Sequence, residues 1–348
     1  MASNGRPLPL LVAIAGLAAS TISAWLVAGF LQQRAADEFA FAADQVTLQV
    51  RERLESSHLV LRGGITLAEE TAPVSREAWR HYVDRLDLDH TLPGINSVGF
   101  VTWLAGDKLA THEAAVRAEG FPDYRVWPAG QRDWYAPVLY VEPFRGQNLR
   151  AFGRDMHAEP VRREAMERAR DTGLPALSGK LELVGEPSIG SQPGAMMFMA
   201  VYHHGMPRNT VAERRAALSG WVVSTYRMHD LLSGPLKSWA SREGRVIDLH
   251  LYDGDTASPA ALLFDSVVTE KPSTESPFIQ RRVINFYGHR WLLEFDRISG
   301  APGVNFTLAW VVLASGLSIS GLLAGLFATL TRTEQLAQQR AGELTASL

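Results

Sequence analysis

Asp155 is the residue whose surroundings point most directly to chemistry. It follows Arg154 and lies between the apolar Phe152 and Met156, just ahead of a helix predicted over residues 158–172. Burying a carboxylate is costly unless a partner pairs with it or hydrogen-bonds to it. Two interpretations follow: Asp155 reads a ligand at the mouth of a pocket, or it caps or ion-pairs with the following helix.

Aromatic residues are frequent in the same part of the chain: Phe100, Trp103, Tyr124, Trp127, Trp134, Tyr135, Tyr140 and Phe144. Small-molecule pockets are lined by such rings with a few polar groups among them. Tyr124, Trp127 and Tyr140 are therefore candidate ligand contacts, and Met197 is a candidate for adaptable pocket lining. Packing in a hydrophobic core is the alternative for each of these side chains.

Basic residues near Asp155 suggest what a ligand might carry. Arg145, Arg150, Arg154 and Lys180 would attract an anion if they faced one cavity. Solvated surface charge is the alternative interpretation, since arginine and lysine are mostly exposed.

Catalytic motifs are incomplete. His112–Glu113 begins a zinc-protease string, but Val116 occupies the position of the second histidine. The adjacent pair His203–His204 has a poor spacing for a metal, and Leu181 follows Lys180 where a phosphate-binding loop needs Ser or Thr. The sequence therefore predicts no enzymatic activity, no metal and no cofactor.

Composition narrows the class of protein further. The chain of 348 residues has 34 Lys+Arg against 37 Asp+Glu, a net charge of −3, which does not suit nucleic-acid binding. It contains no cysteine, which excludes disulfides, thiolate metal sites and a cysteine nucleophile.

Two apolar segments lie at the ends of the chain. Residues 7–33 and 303–331 are each long enough to cross a bilayer as a helix. A cleaved signal peptide is the alternative for the first segment, although its apolar run is longer than a signal core. A buried soluble helix is the alternative for the second.

Two spans would place both termini on one side of the membrane. We expect residues 1–6 and 332–348 in the cytoplasm and residues 34–302 outside it, in the periplasm or extracellular space of a bacterium, with the spans in the inner membrane. Small and apolar residues at three- and four-residue spacings in 332–348 predict the start of a signalling helix rather than a frayed tail.

The spacing of apolar residues in the middle segment changes along its length, from a helical period to patterns typical of strands. Val46, Val50, Leu54 and Leu61 mark one face of a stalk helix over residues 34–72, which Gly63–Gly64 is expected to interrupt. Helices are also predicted at Arg76–Leu86, opened by Ser75, and at Pro160–Asp171, closed by Gly173. Strands are predicted at Ile95–Leu104, Tyr124–Trp127, Tyr135–Pro143 and several later positions. Helices among short-linked strands predict an α+β fold with antiparallel sheets.

The sequence from Leu92 onward resembles the CHASE family of extracellular sensor domains. The resemblance is carried by LPGINSVGFV (92–101), RAEGFPDYRVWP (117–128), YAPVLYVEP (135–143) and, most specifically, the block FGRDMHAEPVRREAMERARDTGLPALSGKLELV (152–184). Residues 218–232 look like the strand that opens the family's second lobe. Arg154 departs from the family, which often has an aromatic residue there.

The resemblance implies a stalk helix and two PAS-like lobes, a membrane-distal one over 92–208 and a proximal one over 216–298, between two transmembrane helices. In cytokinin-binding members an aspartate of the specific block hydrogen-bonds the ligand and a leucine lines the pocket. These correspond here to Asp155 and Leu177.

The sequence thus predicts a homodimeric transmembrane receptor in which a small ligand in the distal lobe shifts the membrane helices and a cytoplasmic effector. The ligand itself is not identified by the sequence. One alternative is a membrane-anchored partner-binding protein without a small-molecule ligand, and another is a periplasmic hydrolase.

Overall fold

A computed structural model describes residues 7–70, 74–92, 94–183, 192–234, 247–266, 279–297 and 304–346. Its helices are α1 Pro7–Glu70, α2 Arg76–Leu86, α3 Leu88–Thr91, α4 Leu109–Ala118, α5 Pro160–Thr172, α6 Val211–Ala217 and α7 Thr307–Ala346. Its strands are β1 Ile95–Thr102, β2 Leu104–Ala105, β3 Trp134–Tyr135, β4 Val138–Glu142, β5 Ala176–Leu177, β6 Leu181–Leu183, β7 Gln192–Tyr202, β8 Leu218–Arg227, β9 Ile247–Asp253, β10 Leu262–Asp265, β11 Gln280–Phe286 and β12 His289–Arg297. Residues 228–234 are also helical.

The chain forms two compact units. A helical unit comprises Met1–Phe41 and Gly300–Leu348, and an α+β unit comprises Ala42–Ser299. In the helical unit, α1 and α7 are long and apolar enough to cross a membrane, with peak mean hydropathies of 2.1 and 2.0. The two helices meet at small residues, with Gly16 against Ser320 and Gly316 against Ser20.

The first lobe, residues 94–227, is built on an antiparallel sheet of order β4–β1–β8–β7–β5, with β6 also paired to β7. One face packs against α5 through Ala165, Met166 and Ala169. The other face meets the later part of α1 and α2, where Gly64 approaches Val222 and Trp79. The sheet is therefore covered on both faces, which agrees with its long runs of buried residues.

The second lobe, residues 247–297, is a four-stranded antiparallel sheet of order β10–β9–β12–β11. The lobes meet at Asp253, whose carboxylate accepts hydrogen bonds from the backbone N–H of Lys180 and from His289. The backbone N–H of Leu177 also donates to the carbonyl of Tyr287. The observed fold confirms the predicted α+β class, the long N-terminal helix and the antiparallel sheets.

Local end signals are confirmed at two helices. Ser75 caps α2 by accepting from the N–H of Ala78. Pro160 opens α5, and Gly173 closes it with φ of 70°. A glycine is favoured there because residues with a Cβ rarely adopt this left-handed conformation.

Four sequence expectations need correction. Helix α1 continues through Gly63–Gly64 without interruption. The two glycines have no side chains, so the rings of Tyr82 and Trp79 can pack closely against the helix there. Residues 124–127 form only an isolated bridge from Trp127 to Arg154, and the structure has a helix, α6, at Val211–Ala217, where no element was predicted. Pro73, expected to end the stalk, lies outside the described residues, as do residues 1–6.

The fourth correction concerns the lobe boundary. The ranges 92–208 and 216–298 assign β8 to the second lobe, yet β8 lies between β1 and β7 in the first sheet. Its nearly continuous burial explains this position, because a central strand between two covered faces exposes almost nothing. The first lobe therefore extends to Arg227.

Candidate functional site

Asp155 is buried, with 1% of its surface exposed, and it joins two segments of the first lobe. Its Oδ1 accepts from the backbone N–H groups of Ala136 at 2.9 Å and His157 at 3.1 Å. Its Oδ2 lies 3.5 Å from the Arg132 guanidinium. The carboxylate thus caps the turn that precedes α5, as one of the two sequence interpretations expected.

The backbone around Asp155 is equally occupied. Its N–H donates to the carbonyl of Trp127 at 2.7 Å, and it forms a bridge with Pro137. Oδ2 makes no hydrogen bond to any described residue. The neighbours Arg154 and Met156, rather than Asp155, line the adjacent cavity.

This cavity, the arginine cavity, has a volume of about 70 Å³ and lies between the sheet and the segment leading into α5. Four of its lining residues are arginines: Arg150, Arg154, Arg162 and Arg227. The other residues that line it are Asn96, Ser97, Gln147, Asn148, Ala151, Met156, Glu182, Leu183, Met196 and Thr225.

The strand register shows which residues of the sheet form the floor of the arginine cavity. Ser97 pairs with Thr225, and Thr225 pairs with Met196, so the three residues form one row across β1, β8 and β7. Directly paired residues of adjacent strands point to the same face. The row therefore presents two hydroxyls and one thioether to the cavity.

Glu159 positions Arg162, which lines the arginine cavity on the side of α5. Its carboxylate accepts from the backbone N–H groups of Val161 and Arg162, both at 3.0 Å, and from the Arg162 guanidinium at 3.1 Å. Arg162 is consequently held at the first turn of α5 with 3% of its surface exposed. Burial, followed by the charge of Arg154, lowers the pKa of Arg162 to about 10, although Glu159 opposes the change. Burial also lowers the pKa of Arg154.

Tyr124 and Trp127 line a different depression, the aromatic groove, of about 490 Å³. Its other residues are Gly120, Phe121, Pro122, Asp123, Arg125, Leu149, Arg150 and Phe152. The Trp127 indole donates to the carbonyl of Phe152, and the Arg154 guanidinium lies 5.0 Å from the Trp127 ring centre. Arg150 borders both the groove and the arginine cavity.

The remaining candidates lie on the opposite face of the sheet. Tyr140 is buried, donates to the carbonyl of Val74 and stacks with Trp79. Leu177 and Met197 are register partners, and Met197 contacts the hydroxyl of Tyr226. The structure therefore divides the seven predicted residues among four environments: Asp155 is a buried cap, Arg154 lines the arginine cavity, two residues line the aromatic groove and three lie on the opposite sheet face. Their role in ligand binding stays a prediction.

The predicted basic residues also separate. Arg145 lies 3.6 Å from Asp89 on an exposed surface. Lys180 donates to the carbonyl of Ala260 in the second lobe. Only Arg150 and Arg154 reach the arginine cavity.

The second lobe contains its own cluster, the acidic centre of Asp248, His250 and Asp265. One ligand atom from each lies within 4.8 Å of the others, a spacing that would suit a single metal ion. Ser266 donates to Asp248, and burial raises the pKa of that carboxyl. Within the described part of the lobe, His250 Nδ1 lacks the outer hydrogen-bond partner that metal-bound histidines normally have.

A model of the CHASE domain matches residues 72–264, more than half of the chain. The protein belongs to the CHASE-domain family. This confirms the family suggested by the 152–184 block, and it assigns the chain to a class of sensory domains. Candidate membrane helices flank the matched CHASE region on both sides.

Two solved structures resemble this CHASE protein only distantly. One is an extracellular ligand-binding receptor from Desulfohalobium retbaense, with 9% identity and a TM-score of 0.38, covering 77% of this chain but 39% of that one. The other is the ligand-binding domain of the Pseudomonas aeruginosa amino acid chemoreceptor PctC in complex with GABA, with 11% identity and a TM-score of 0.40, covering 74% and 98%. No curated protein matches the sequence.

Sequence reasoning did not name Arg162 and Arg227, which line the arginine cavity of the CHASE domain. Arg162 lies in the charged run VRRE, where its neighbour Arg163 is chemically identical. Its position two residues after Pro160 places it in the first turn of α5. That position is a usable signal, because the first turn of a helix follows the loop that a ligand site often uses.

Proposed function

We propose that this CHASE protein is a transmembrane sensor that binds a small ligand in the arginine cavity of its first lobe. The supporting observation is a cavity lined by four arginines between the sheet and the α5 segment of a domain from a sensory family. Ligand binding would favour one arrangement of the cavity walls over another. A differential affinity between two states is all that such a switch requires.

The proposed direction of signalling is from the α+β unit, outside the cytoplasm, to the segment after α7. The strand order of the first sheet supports the PAS-like character expected for the ligand-binding lobe. The Gly–Ser contacts between α1 and α7 support a closely packed helix pair in the inner membrane.

Membrane topology gives the first test. The chain has no cysteine, so single cysteines can be introduced at the exposed positions Gln131 and Gln338. In intact spheroplasts a membrane-impermeant maleimide should label Gln131→Cys, and it should label Gln338→Cys only after permeabilisation. The reverse pattern, or labelling of neither position before permeabilisation, would overturn the proposal.

We also propose that the receptor is a homodimer joined along α1. Leu48 and Leu59 are half or more exposed, and their separation of eleven residues is close to three helical turns. Leu48→Cys and Leu59→Cys should therefore crosslink between copies, whereas Gln49→Cys, about 100° around the helix from Leu48, should not. Equal crosslinking at all three positions would argue against this dimer.

Cavity filling tests the sensor itself. Thr225→Phe inserts a ring into the cavity floor and should change the crosslinking yield at Leu59→Cys by at least twofold. Thr225→Leu is the milder variant if the phenylalanine prevents folding. Thr111→Leu on the exposed surface of α4 is the control and should leave the yield unchanged. An unchanged yield in both cavity variants would favour a partner-binding protein that needs no small ligand.

A further inference from the structure

The arginine cavity has a buried guanidinium in its wall. Arg162 is almost completely buried, and its Nε finds no hydrogen-bond acceptor among the described residues. A buried donor left without an acceptor costs about 1–3 kcal/mol, and more when it is charged. Such a donor in a cavity wall is one that a bound anion could satisfy.

Acidic residues offset only part of the positive charge. Glu159 pairs with Arg162, Asp230 lies 3.7 Å from Arg227, and Glu182 lines the cavity. Arg154 lies over Trp127 rather than against a carboxylate, and the charge of Arg154 lowers the pKa of Arg162. Two guanidinium groups that repel each other beside one cavity are stabilised by a shared anion.

The size and walls of the cavity restrict the anion. A volume of about 70 Å³ admits a group of a few heavy atoms. Guanidinium groups match the paired oxygens of carboxylate and phosphate. The side-chain amides of Asn96 and Asn148 already bond each other, at 2.9 Å, which leaves the arginines and the hydroxyls of Ser97 and Thr225 as the chief donors.

We propose that the arginine cavity binds a small oxyanion, either a carboxylate group or inorganic phosphate, with Arg162 and Arg227 as the principal contacts. The inference rests on the proposed sensor function and specifies its ligand class. Arg154 and Arg150 complete the positive wall toward the aromatic groove. An organic acid would place its carboxylate in the cavity and any larger apolar part along the groove.

Isothermal titration of the full chain in detergent micelles tests the proposal. Sodium acetate and sodium phosphate are the probes, acetamide is the neutral control, and sodium chloride holds the ionic strength constant. We expect saturable binding of acetate or phosphate and none of acetamide. Acetate binding alone identifies a carboxylate ligand, and phosphate binding alone identifies a phosphate ligand.

Variants locate the binding site. Arg162→Met and Arg227→Gln should each weaken anion binding at least tenfold, whereas Arg163→Gln, next to Arg162 but outside the cavity lining, should not. If Arg162→Met does not fold, Arg227→Gln and Arg150→Gln carry the test. Equal binding by all variants would overturn the assignment of the site.

The outcomes separate this inference from the proposed function. If neither anion binds while Thr225→Phe still changes crosslinking, the ligand class is wrong and the sensor proposal stands. If neither anion binds and the crosslinking is also unchanged, both proposals fail. Acetamide binding with the affinity of acetate would also overturn the anion inference.

Discussion

The two lobes bury charge in opposite ways. The first lobe lines the arginine cavity with four arginines, and the most buried of them, Arg162, has an Nε donor with no acceptor among the described residues. The second lobe buries the carboxylates of Asp248 and Asp296 beside His250. There, Ser266 donates a hydrogen bond to Asp248, and His250 Nε2 lies 3.8 Å from the same carboxylate.

The described residues thus gather positive charge in the first lobe and carboxylates in the second. In the acidic centre a hydroxyl and an imidazole of the lobe itself lie beside the carboxylates. The walls of the arginine cavity come from several separate segments of the chain. A ligand bound there, as proposed above, would contact more than one of those segments.

Asp155→Ala should give the largest effect on the first lobe. The change removes two buried acceptor contacts and the partner of Arg132. We expect the free energy of unfolding to fall by about 3 kcal/mol, because hydrogen bonds to a charged group contribute roughly 1.5–3 kcal/mol each. Urea unfolding of the full chain in micelles, followed by tryptophan fluorescence, measures the change.

Two variants sharpen this test. Asp155→Asn keeps the Oδ1 acceptor and should lose about half as much stability, whereas the exposed Asp123→Ala should lose almost none. If Asp155→Ala kept full stability but abolished ligand binding, Asp155 would be a ligand contact rather than a cap.

Asp253→Ala should weaken the contact between the lobes. Burial acts to raise the pKa of Asp253, but the hydrogen bonds from His289 and Lys180 outweigh it and hold the pKa below its usual value. Because the pKa is lowered in the fold, this stabilisation is present above the unfolded value near 3.9 and is lost as the pH falls through the folded value. We expect a loss of about 1–2 kcal/mol at pH 7.

Hydrogen exchange locates the effect, since the amide of Lys180 loses its acceptor in this variant. Asp255→Ala is the matched control, because its ion pair with Arg290 is about half exposed and should contribute under about 1 kcal/mol. Unchanged exchange at Lys180 would show that Asp253 does not couple the lobes.

Gly64→Ala tests the close packing of α1 against the first sheet. A Cβ at Gly64 would lie 3.0 Å from Val222 and 3.1 Å from Trp79, a fully buried ring that has little room to move. Alanine gains about 1 kcal/mol in helix propensity, but overpacking costs about 1–3 kcal/mol. We expect a net loss of about 1 kcal/mol in urea unfolding.

The control is Gly342→Ala on α7, where a Cβ would have no neighbour within 4 Å. That substitution should not lower stability. A Gly64→Ala protein more stable than the parent would mean that the sheet accommodates the methyl group.

Local signals predict the helix ends of this protein better than its contacts. Ser75, Pro160 and Gly173 act through their own backbone and side chains, so their effects are readable from neighbouring residues. Gly63–Gly64 is ambiguous in sequence, since glycine both weakens a helix and permits close packing. In this protein the glycines serve close packing against Trp79, and the helix stays continuous. That contact is made by a residue of a different helix, so the neighbouring sequence does not reveal it.

The composition of the candidate site is more predictable than its geometry. Met196 and Met197 are adjacent in β7, and alternation requires that they face opposite sides of the sheet. The sequence does not tell which side holds the cavity, so Met197 was the candidate while Met196 lines it. Arg162 likewise needs the packing of α5 to distinguish it from Arg163.

Asp248→Asn should have the smallest effect and tests the second half of the comparison. Burial raises the pKa of Asp248, against the hydrogen bond from Ser266 and the charge of His250, while Asp265 and Asp296 reinforce the increase. The fold therefore binds a proton at this carboxyl that the unfolded chain has released, and stability falls as the pH rises from about 4 through the folded pKa. Asparagine removes this dependence.

The variant should thus gain stability relative to the parent, by about 1 kcal/mol or less, as the pH rises from 4 to 7.5, measured by urea unfolding at each pH. Asp255→Asn, with an exposed carboxylate, is the control and should follow the parent at both pH values. An opposite trend, with Asp248→Asn less stable than the parent at pH 7.5, would mean that the ionised carboxylate is stabilised by a cation. In that case stabilisation of the parent, but not of Asp248→Asn, by added zinc chloride would identify the acidic centre as a metal site. The two lobes would then differ in the charge of the ion that they bind: the arginine cavity would bind an anion and the acidic centre a cation.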